Sequence, residues 1–477
     1  MWWQPNDWPE SSSQQRVYTL SHRFTPLQAA LPLLTTALLL FGMVATGKTD
    51  FYFPVTAGLL VAALLAWRAG SPVSSLLRWG RDGVKSTLIA LSILVLVGAL
   101  IGVWKASGTV PAMVYYGLQL ASPAYLVPAA FLLAAVVSMM LGTFVGTLST
   151  LGVAIMGMAH GIGAPLPLVA GALVSGALIG DRGSPLSGSL HLNVAMTGTD
   201  VRRMQTVLLP TGILAAVISL LGYVWMGSGM PVNGGGMDTS LRGAIASHFI
   251  ITPWLLLPSV LVLTLAFLRV PVRWALGLGM LASATLGVLF GGVEWLDPVK
   301  AAIFGYSAQV SDLNLSRIFG GGGIVPMGKQ FALIIAAGAL SGIMEATGMM
   351  RLVFARLTDG TRRPLALVGS TMTLAVVVAL VAANQALPLI VTGRMFRDSY
   401  DRSGVPAEVL SRTLADSSTV LVGVIPWNLM AVIATATLGV PARSFLPYAF
   451  FALSLPLVSL AYTALEERRR SVSIVVE

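Results

Sequence analysis

Apolar runs of bilayer length recur along this chain, and they leave it few ways to fold. They lie near 26–46, 51–67, 86–104, 122–141, 204–226, 250–268, 274–291, 327–347, 364–383 and 443–463. A helix crosses the hydrocarbon of a bilayer in about 20 residues. Runs of this length suit helices rather than the alternating strands of a membrane barrel. Segments 142–200 and 384–440 are also apolar but interrupted, and each adds one or two full or partial crossings. The expectation is an all-α polytopic membrane protein with roughly 10 to 13 membrane-crossing helices and half-helices. Composition agrees, because only 10% of the residues are charged and 56% are hydrophobic. Soluble domains carry about 25% charged residues, so this chain cannot cover its surface with charge and takes the lipid bilayer as its solvent.

The 29 basic and 19 acidic residues give a net charge of +10. The basic residues sit mostly between apolar segments, so the positive-inside rule explains them without a nucleic-acid partner. Loop 68–85 holds Arg68, Arg78, Arg81 and Lys85; loop 351–363 holds Arg351, Arg356, Arg362 and Arg363; the tail holds Arg468, Arg469 and Arg470. Placing these in the cytoplasm puts both termini inside and the Gly-rich linker 227–249 outside. The organisation expected is a polar N-terminal segment (1–25), a first membrane half (26–226), the linker, a second half (250–465) and a cytoplasmic tail (466–477). Segment 292–325 reads as an external amphipathic element. The N-terminus lacks the basic region and short apolar core of a cleaved signal peptide, so the first span is expected to stay as an anchor in the plasma membrane. With no cysteine, thiolate metal sites and disulfides are excluded. Four histidines without a His-x3-His pair argue against zinc, and no cofactor is expected.

Within this apolar chain, Gly180-Asp181-Arg182-Gly183-Ser184-Pro185-Leu186-Ser187-Gly188-Ser189-Leu190-His191-Leu192-Asn193 concentrates charge, hydroxyls and helix breakers. It has an echo 235 positions later. Asp181 falls on Asp416, Ser184 on Thr419, Leu186 on Leu421, Gly188 on Gly423 and Asn193 on Asn428. Two halves, each with an interrupted polar segment, form the pattern of a secondary transporter built from inverted repeats with broken helices. Backbone leaves the helix at membrane depth only where it is buried in protein or lines a wet cavity. A second polar stretch lies upstream of each Asp, at 142–150 with Thr147 and at 382–388 with Asn384 and Gln385. The four stretches are expected to converge on one midplane site.

Asp181 and Asp416 are the leading candidates, because an intramembrane carboxylate is costly and by default marks an ion or proton path. The bland alternative is a helix-end Asp that caps, or that pairs with Arg182 or Arg412. Ser184, Ser187, Ser189, Ser417, Thr419, Asn193 and Asn428 offer hydroxyl and amide ligands, or they hold broken helices together. Asn384 and Gln385 are read as binding groups rather than interhelical glue. His191 titrates near physiological pH, or stays neutral and donates one hydrogen bond.

At these residues the chain resembles the NhaC family of sodium/proton antiporters, within the ion transporter superfamily. The family's first signature, roughly Gly-Asp-Lys-x-Ser-Pro-Leu-Ser-Asp-Thr-Thr-Asn, stands here as Gly180 to His191. The second survives in Leu410-Ser411-Arg412-Thr413-Leu414, Asp416-Ser417, Ile425-Pro426-Trp427-Asn428 and Leu446-Pro447-Tyr448-Ala449-Phe450. The similarity covers about residues 130 to 463. It implies a multi-helix antiporter with two inverted repeats that exchanges Na+ for H+ or couples organic anions to cations. This chain departs from the pattern where the family's Asp is Gly188, its Asn is His191, and its Gly-Asp-Gln is Ala383-Asn384-Gln385. Each half has lost a carboxylate, which weakens a conventional sodium site and favours proton coupling or an organic solute.

The resulting expectation is a secondary antiporter, not an enzyme, that exchanges Na+ or H+ by alternating access; a coupled exchanger of a small organic acid or amino acid is the alternative. Its partners are lipid and a small ion or organic solute, with a homodimer as an open assembly. No Gly-x4-Gly-Lys-[Ser/Thr] motif supports coupling to ATP hydrolysis. An intramembrane hydrolase finds no Gly-x-Ser-x-Gly or His-Glu-x-x-His motif. A channel would show no counter-transport.

Overall fold

The computed structural model describes residues 24–46, 50–120, 123–229, 236–268, 270–307, 319–354, 363–381 and 384–476. The N-terminal segment up to residue 23, residues 308–318 of the 292–325 element, and Ala382 and Ala383 lie outside the described residues.

The chain begins with α1 (Pro26–Ala45), α2 (Tyr52–Arg68), α3 (Val73–Ala106), α4 (Thr109–Leu120) and α5 (Pro123–Leu141). A broken stretch follows, made of α6 (Phe144–Thr147), a π-helical turn Leu148–Gly152 and α7 (Val153–Gly161). Helices α8 (Leu166–Gly183) and α9 (Gly188–Thr197) flank a second break before α10 (Val201–Ser228). Then come α11 (Gly236–His248), α12 (Leu257–Phe267), α13 (Val272–Phe290), α14 (Leu296–Phe304), α15 (Gly328–Ala346), α16 (Met349–Phe354) and α17 (Pro364–Val381). The chain ends with α18 (Ala386–Arg402), α19 (Ala407–Asp416), the single turn α20 (Ser418–Leu421), α21 (Leu429–Leu438), α22 (Ala442–Phe445) and α23 (Phe450–Val476). Among the described residues the architecture is all-α; the pairing of Tyr306 with Gly321 is an isolated bridge.

Among the described residues each apolar run read from the sequence is mainly helical, with breaks inside 250–268 and 443–463. Five helices among the described residues are long and apolar enough to cross a membrane, and three bent pairs meet the same test as broken spans. Two sequence expectations change form. The basic segment 68–85 is helical from Val73 onward, so Arg78, Arg81 and Lys85 ride on α3 rather than in a loop. The linker 227–249 contains the 13-residue helix α11, which turns through 100° into the segment beginning at Pro253.

Helix α10 shows why these elements need lipid. Thr211, Ala215, Ser219, Tyr223 and Gly227 recur every four residues and are buried. On the other side Leu209, Ile213, Leu221 and Trp225 are exposed, Trp225 to 79%. A face this apolar is stable against hydrocarbon and not against water. Helix α13 packs likewise through Ala275, Gly279, Ser283 and Gly287, the small residues that let membrane helices approach closely.

The chain divides into two compact units, interleaved in sequence. The first comprises residues up to Ile89, Lys329–Gly360 and Val381–Ala383. Inside it α1 packs on α2 and α16, and α3 crosses α15 at a glycine contact. A Cβ on Gly83 would lie 2.1 Å from Gly338 O. The second unit comprises Ala90–Gly328, Thr361–Leu380 and Asn384–Glu477, and contains both signature segments.

In the second unit the most extensive packing is between α5 and α8. Glycines allow it: a Cβ on Gly180 would sit 2.0 Å from Ser138 C, and one on Gly176 would sit 2.4 Å from Phe131 O. Ser138 Oγ donates to Ala177 O at 2.5 Å across the same contact. The end of α8 is thereby fixed against α5, and that end carries Asp181 and Arg182.

Candidate functional site

Helix α8 ends because Pro185 follows. The residue before a proline is driven out of the α region, and Ser184 is extended, with φ −68° and ψ 137°. Its hydroxyl donates to Met139 O at 2.8 Å and accepts from Leu186 N at 3.2 Å, so the break is pinned to α5. Ser187 then caps α9 by accepting from Leu190 N at 3.3 Å. The hydroxyls of Ser187 and Ser189 both donate to the main-chain carbonyl of Asp181.

The 142–150 stretch meets this break directly. Gly142 has φ +67°, a conformation open to glycine, and a Cβ there would lie 2.6 Å from Leu186 C. One residue on, the side chain of Thr143 caps α6. Phe144 N donates to Asp181 Oδ1 at 3.3 Å. On the other side of the carboxylate, Gln385 Nε2 donates to Oδ2 at 2.6 Å and approaches Thr419 O at 3.3 Å. Asp181, Phe144, Gln385 and Thr419 thus bring all four polar stretches together around one carboxyl group. Asp181 is only 6% exposed, and among the described residues the partners of its carboxylate, Phe144 N, Gln385 Nε2 and the Ser189 hydroxyl, are neutral donors.

Asp416 is built differently. It ends α19 and is fully buried. Arg182 Nε donates to its Oδ1 at 2.7 Å and Nη2 lies 2.5 Å from the same oxygen. The guanidinium also donates to Leu208 O at 3.0 Å and Thr211 Oγ1 at 2.8 Å, which ties the pair to α10. The two aspartates that the repeat superposes are therefore inequivalent: one is neutralised by a guanidinium and the other is not.

The remaining sequence candidates fall into two groups. Thr147, Ser417 and Thr419 turn their hydroxyls on carbonyls of the preceding turn: Thr143 O at 2.8 Å, Thr413 O at 2.6 Å and Leu414 O at 3.5 Å. Asn384 Oδ1 accepts from Leu387 N at 2.9 Å and so caps the start of α18. Asn193 and Asn428, which the repeat aligns, occupy different places. Asn193 lies inside α9 and donates from Nδ2 to Ser411 O at 2.9 Å, whereas Asn428 caps α21 by accepting from Met430 N at 3.2 Å. The repeat's register is lost after Gly188 and Gly423, since α9 starts at once and α21 starts only after the turn through Pro426. His191 Nδ1 lies 2.7 Å from Ser187 O, the contact expected when that nitrogen carries the proton.

Two residues escaped the sequence reading. Thr211 completes the bonds of Arg182, and Tyr223 holds the C-terminal break. Its hydroxyl is 2.7 Å from Tyr448 O and 2.7 Å from Ser175 Oγ, and it accepts from Phe450 N at 3.3 Å. The signal available was the four-residue spacing of Thr211, Ala215, Ser219 and Tyr223 on a helix whose other residues are apolar.

Comparison with known proteins assigns the sequence to a family. A sequence profile of the Na+/H+ antiporter family covers residues 17–228 and 234–466. The chain belongs to that family. Its match reaches well before residue 130, where the signature resemblance begins, and takes in α1 to α4. Among curated relatives, a malate-2H(+)/Na(+)-lactate antiporter of Bacillus subtilis is 31% identical over 83% of this chain and 86% of its own length. The Na(+)/H(+) antiporter NhaC of the same organism is 29% identical over 86% of this chain and 91% of its own. An arginine/ornithine antiporter, ArcD, of Halobacterium salinarum is 29% identical over 95% of this chain and 93% of its own. The family is one of secondary antiporters, and the chain is an integral multi-pass membrane protein.

Proposed function

We propose that the protein exchanges Na+ or a similar small cation for H+ across the plasma membrane, with Asp181 as the group that carries the exchanged ion. The observation that carries this reading is the Asp181 carboxylate, buried at the meeting point of four broken stretches and held among the described residues by neutral donors, Phe144 N, Gln385 Nε2 and the Ser189 hydroxyl. A buried carboxylate without a cationic partner is costly, and a cation or a proton removes that cost in turn. Only one can occupy the group at a time, which is what exchange by alternating access requires. Both termini lie in the cytoplasm in this reading, as the basic segments demand.

One observation favours organic exchange as the second reading. A Cβ built on Gly188 meets no heavy atom within 4 Å, so the position that carries an acid in the family pattern has neither an acid nor a neighbouring atom filling its place. Relatives at similar identity are named for malate and lactate or for arginine and ornithine.

The test is reconstitution in vesicles with an imposed pH gradient and a pH-sensitive dye. Na+, Li+, K+, malate, lactate, arginine and ornithine are added in turn. Na+ or Li+ collapsing the gradient supports cation exchange; collapse by organic solutes alone replaces it with the second reading.

A further inference from the structure

We infer that the site carries one exchangeable charge, so that exchange is one monovalent cation for one proton and is electroneutral. The inference rests on the cation-exchange reading above and counts the charges that reading can use. The four stretches hold two acids, Asp181 and Asp416. The charge of Asp416 is already balanced, because the Arg182 guanidinium holds its Oδ1 through both Nε and Nη2, and its unpartnered Oδ2 therefore offers a cargo ion no net negative charge. That pair has side-chain exposures of 5% and 0%, so opening it would leave two bare charges in a buried place, which is strongly unfavourable. Asn384 is uncharged and its Oδ1 is engaged by Leu387 N. Gly188 contributes no side chain. Arg412, one turn before Asp416, is matched by Glu466 at 3.3 Å. His191 already bonds Ser187 O through Nδ1 and is exposed rather than buried with Asp181.

Among the described residues of the four stretches one negative charge therefore remains without a cationic partner, on Asp181. A single monovalent cation or a single proton balances it, and the loaded site is neutral in both directions of travel. A divalent cation would leave the loaded site with an uncompensated positive charge, and a second proton would have no second acceptor. Because no net charge moves in a cycle, the membrane potential does no work on it.

The experiment uses the full-length protein in sealed vesicles at equal internal and external pH, with trace 22Na+ and a valinomycin-clamped K+ gradient. A cycle that moved one net charge would accumulate Na+ by about a hundredfold under a K+ ratio of about one hundred, since each charge follows the full potential. The expected result is accumulation within about twofold of vesicles with no K+ gradient, while an imposed pH gradient of two units drives about hundredfold accumulation. A second arm replaces Na+ with Ca2+ or Mg2+, which are expected to leave the pH gradient intact. Accumulation that follows the K+ gradient, or exchange of the divalent ions, overturns the one-charge inference and leaves cation exchange standing. Absence of Na+ and Li+ movement under every gradient removes the cation-exchange reading itself, and this inference with it.

Discussion

Arg182 reaches a residue 234 positions away, holding Asp416 through Nε at 2.7 Å while its sequence neighbour Asp181 faces the opposite set of groups. Adjacent residues at the end of one helix point about 100° apart, so a single helix terminus delivers a cation to one side and a free carboxylate to the other. The signature dipeptide Asp181-Arg182 thereby assigns the two repeated acids to different tasks.

Replacing Asp181 by Asn keeps the shape of the side chain and removes the charge. Cation exchange in vesicles should fall below about a tenth of wild type, a loss of at least 1.4 kcal/mol in barrier terms. The thermal midpoint of the purified protein should not fall, because the wild-type carboxylate is buried without a cation. A variant that still exchanges at half the wild-type rate would remove Asp181 from the site.

Asp416→Leu should behave in the opposite way. It leaves the Arg182 guanidinium buried with only neutral partners, a defect that costs about 3–5 kcal/mol where buried pairs have been broken. Adding Arg182→Met should recover much of that stability, since removing both charges is far less harmful than removing one. The double-mutant cycle, read by thermal unfolding in detergent, checks this; additive losses would mean the pair is not coupled.

Gly180 and Gly188 lie eight residues apart and should respond differently to the same substitution. Gly180→Ala forces a methyl group to within 2.0 Å of Ser138 C, on backbone that cannot step aside. Overpacking of this kind costs about 1–3 kcal/mol or more, and α8 should shift on α5. Gly188→Ala meets nothing within 4 Å and should leave the melting temperature unchanged. Expression level and thermal midpoint of the two variants decide the matter.

Tyr223→Phe removes one oxygen and leaves Tyr448 O and Phe450 N without that partner. A buried polar group left unsatisfied costs about 1–3 kcal/mol, so the variant should unfold at a lower temperature while retaining the fold. Ser175→Ala, which removes the other hydroxyl of the cluster, should be less than additive with it.

The helical architecture was legible in the sequence because lipid imposes it: run length alone separates a span from a loop. The breaks were legible too, since Pro185 and Pro426 act through local backbone geometry. Convergence of the four stretches was a topological expectation, and the contacts of Asp181 with Phe144 N and Gln385 Nε2 give it distances. What the sequence could not carry was the difference between Asp181 and Asp416. A repeat displays like residues at like positions, but ion pairing depends on what lies opposite in space. Asn384 was similarly ambiguous, because an amide in an apolar stretch looks the same whether it binds a solute or caps a helix. Tyr223 looked like one more large residue in an apolar helix, and its value lies in a main-chain break that enters 225 residues later.

The open space at Gly188 bears on how this scaffold changes over generations. Glycine and aspartate codons can differ by one nucleotide, and here the Cβ that the exchange adds meets no heavy atom within 4 Å. An acid can be gained or lost at this position without a compensating mutation in the packing of α8 on α5. Ion preference can therefore drift along a lineage independently of folding, and one scaffold can supply descendants with different cargoes.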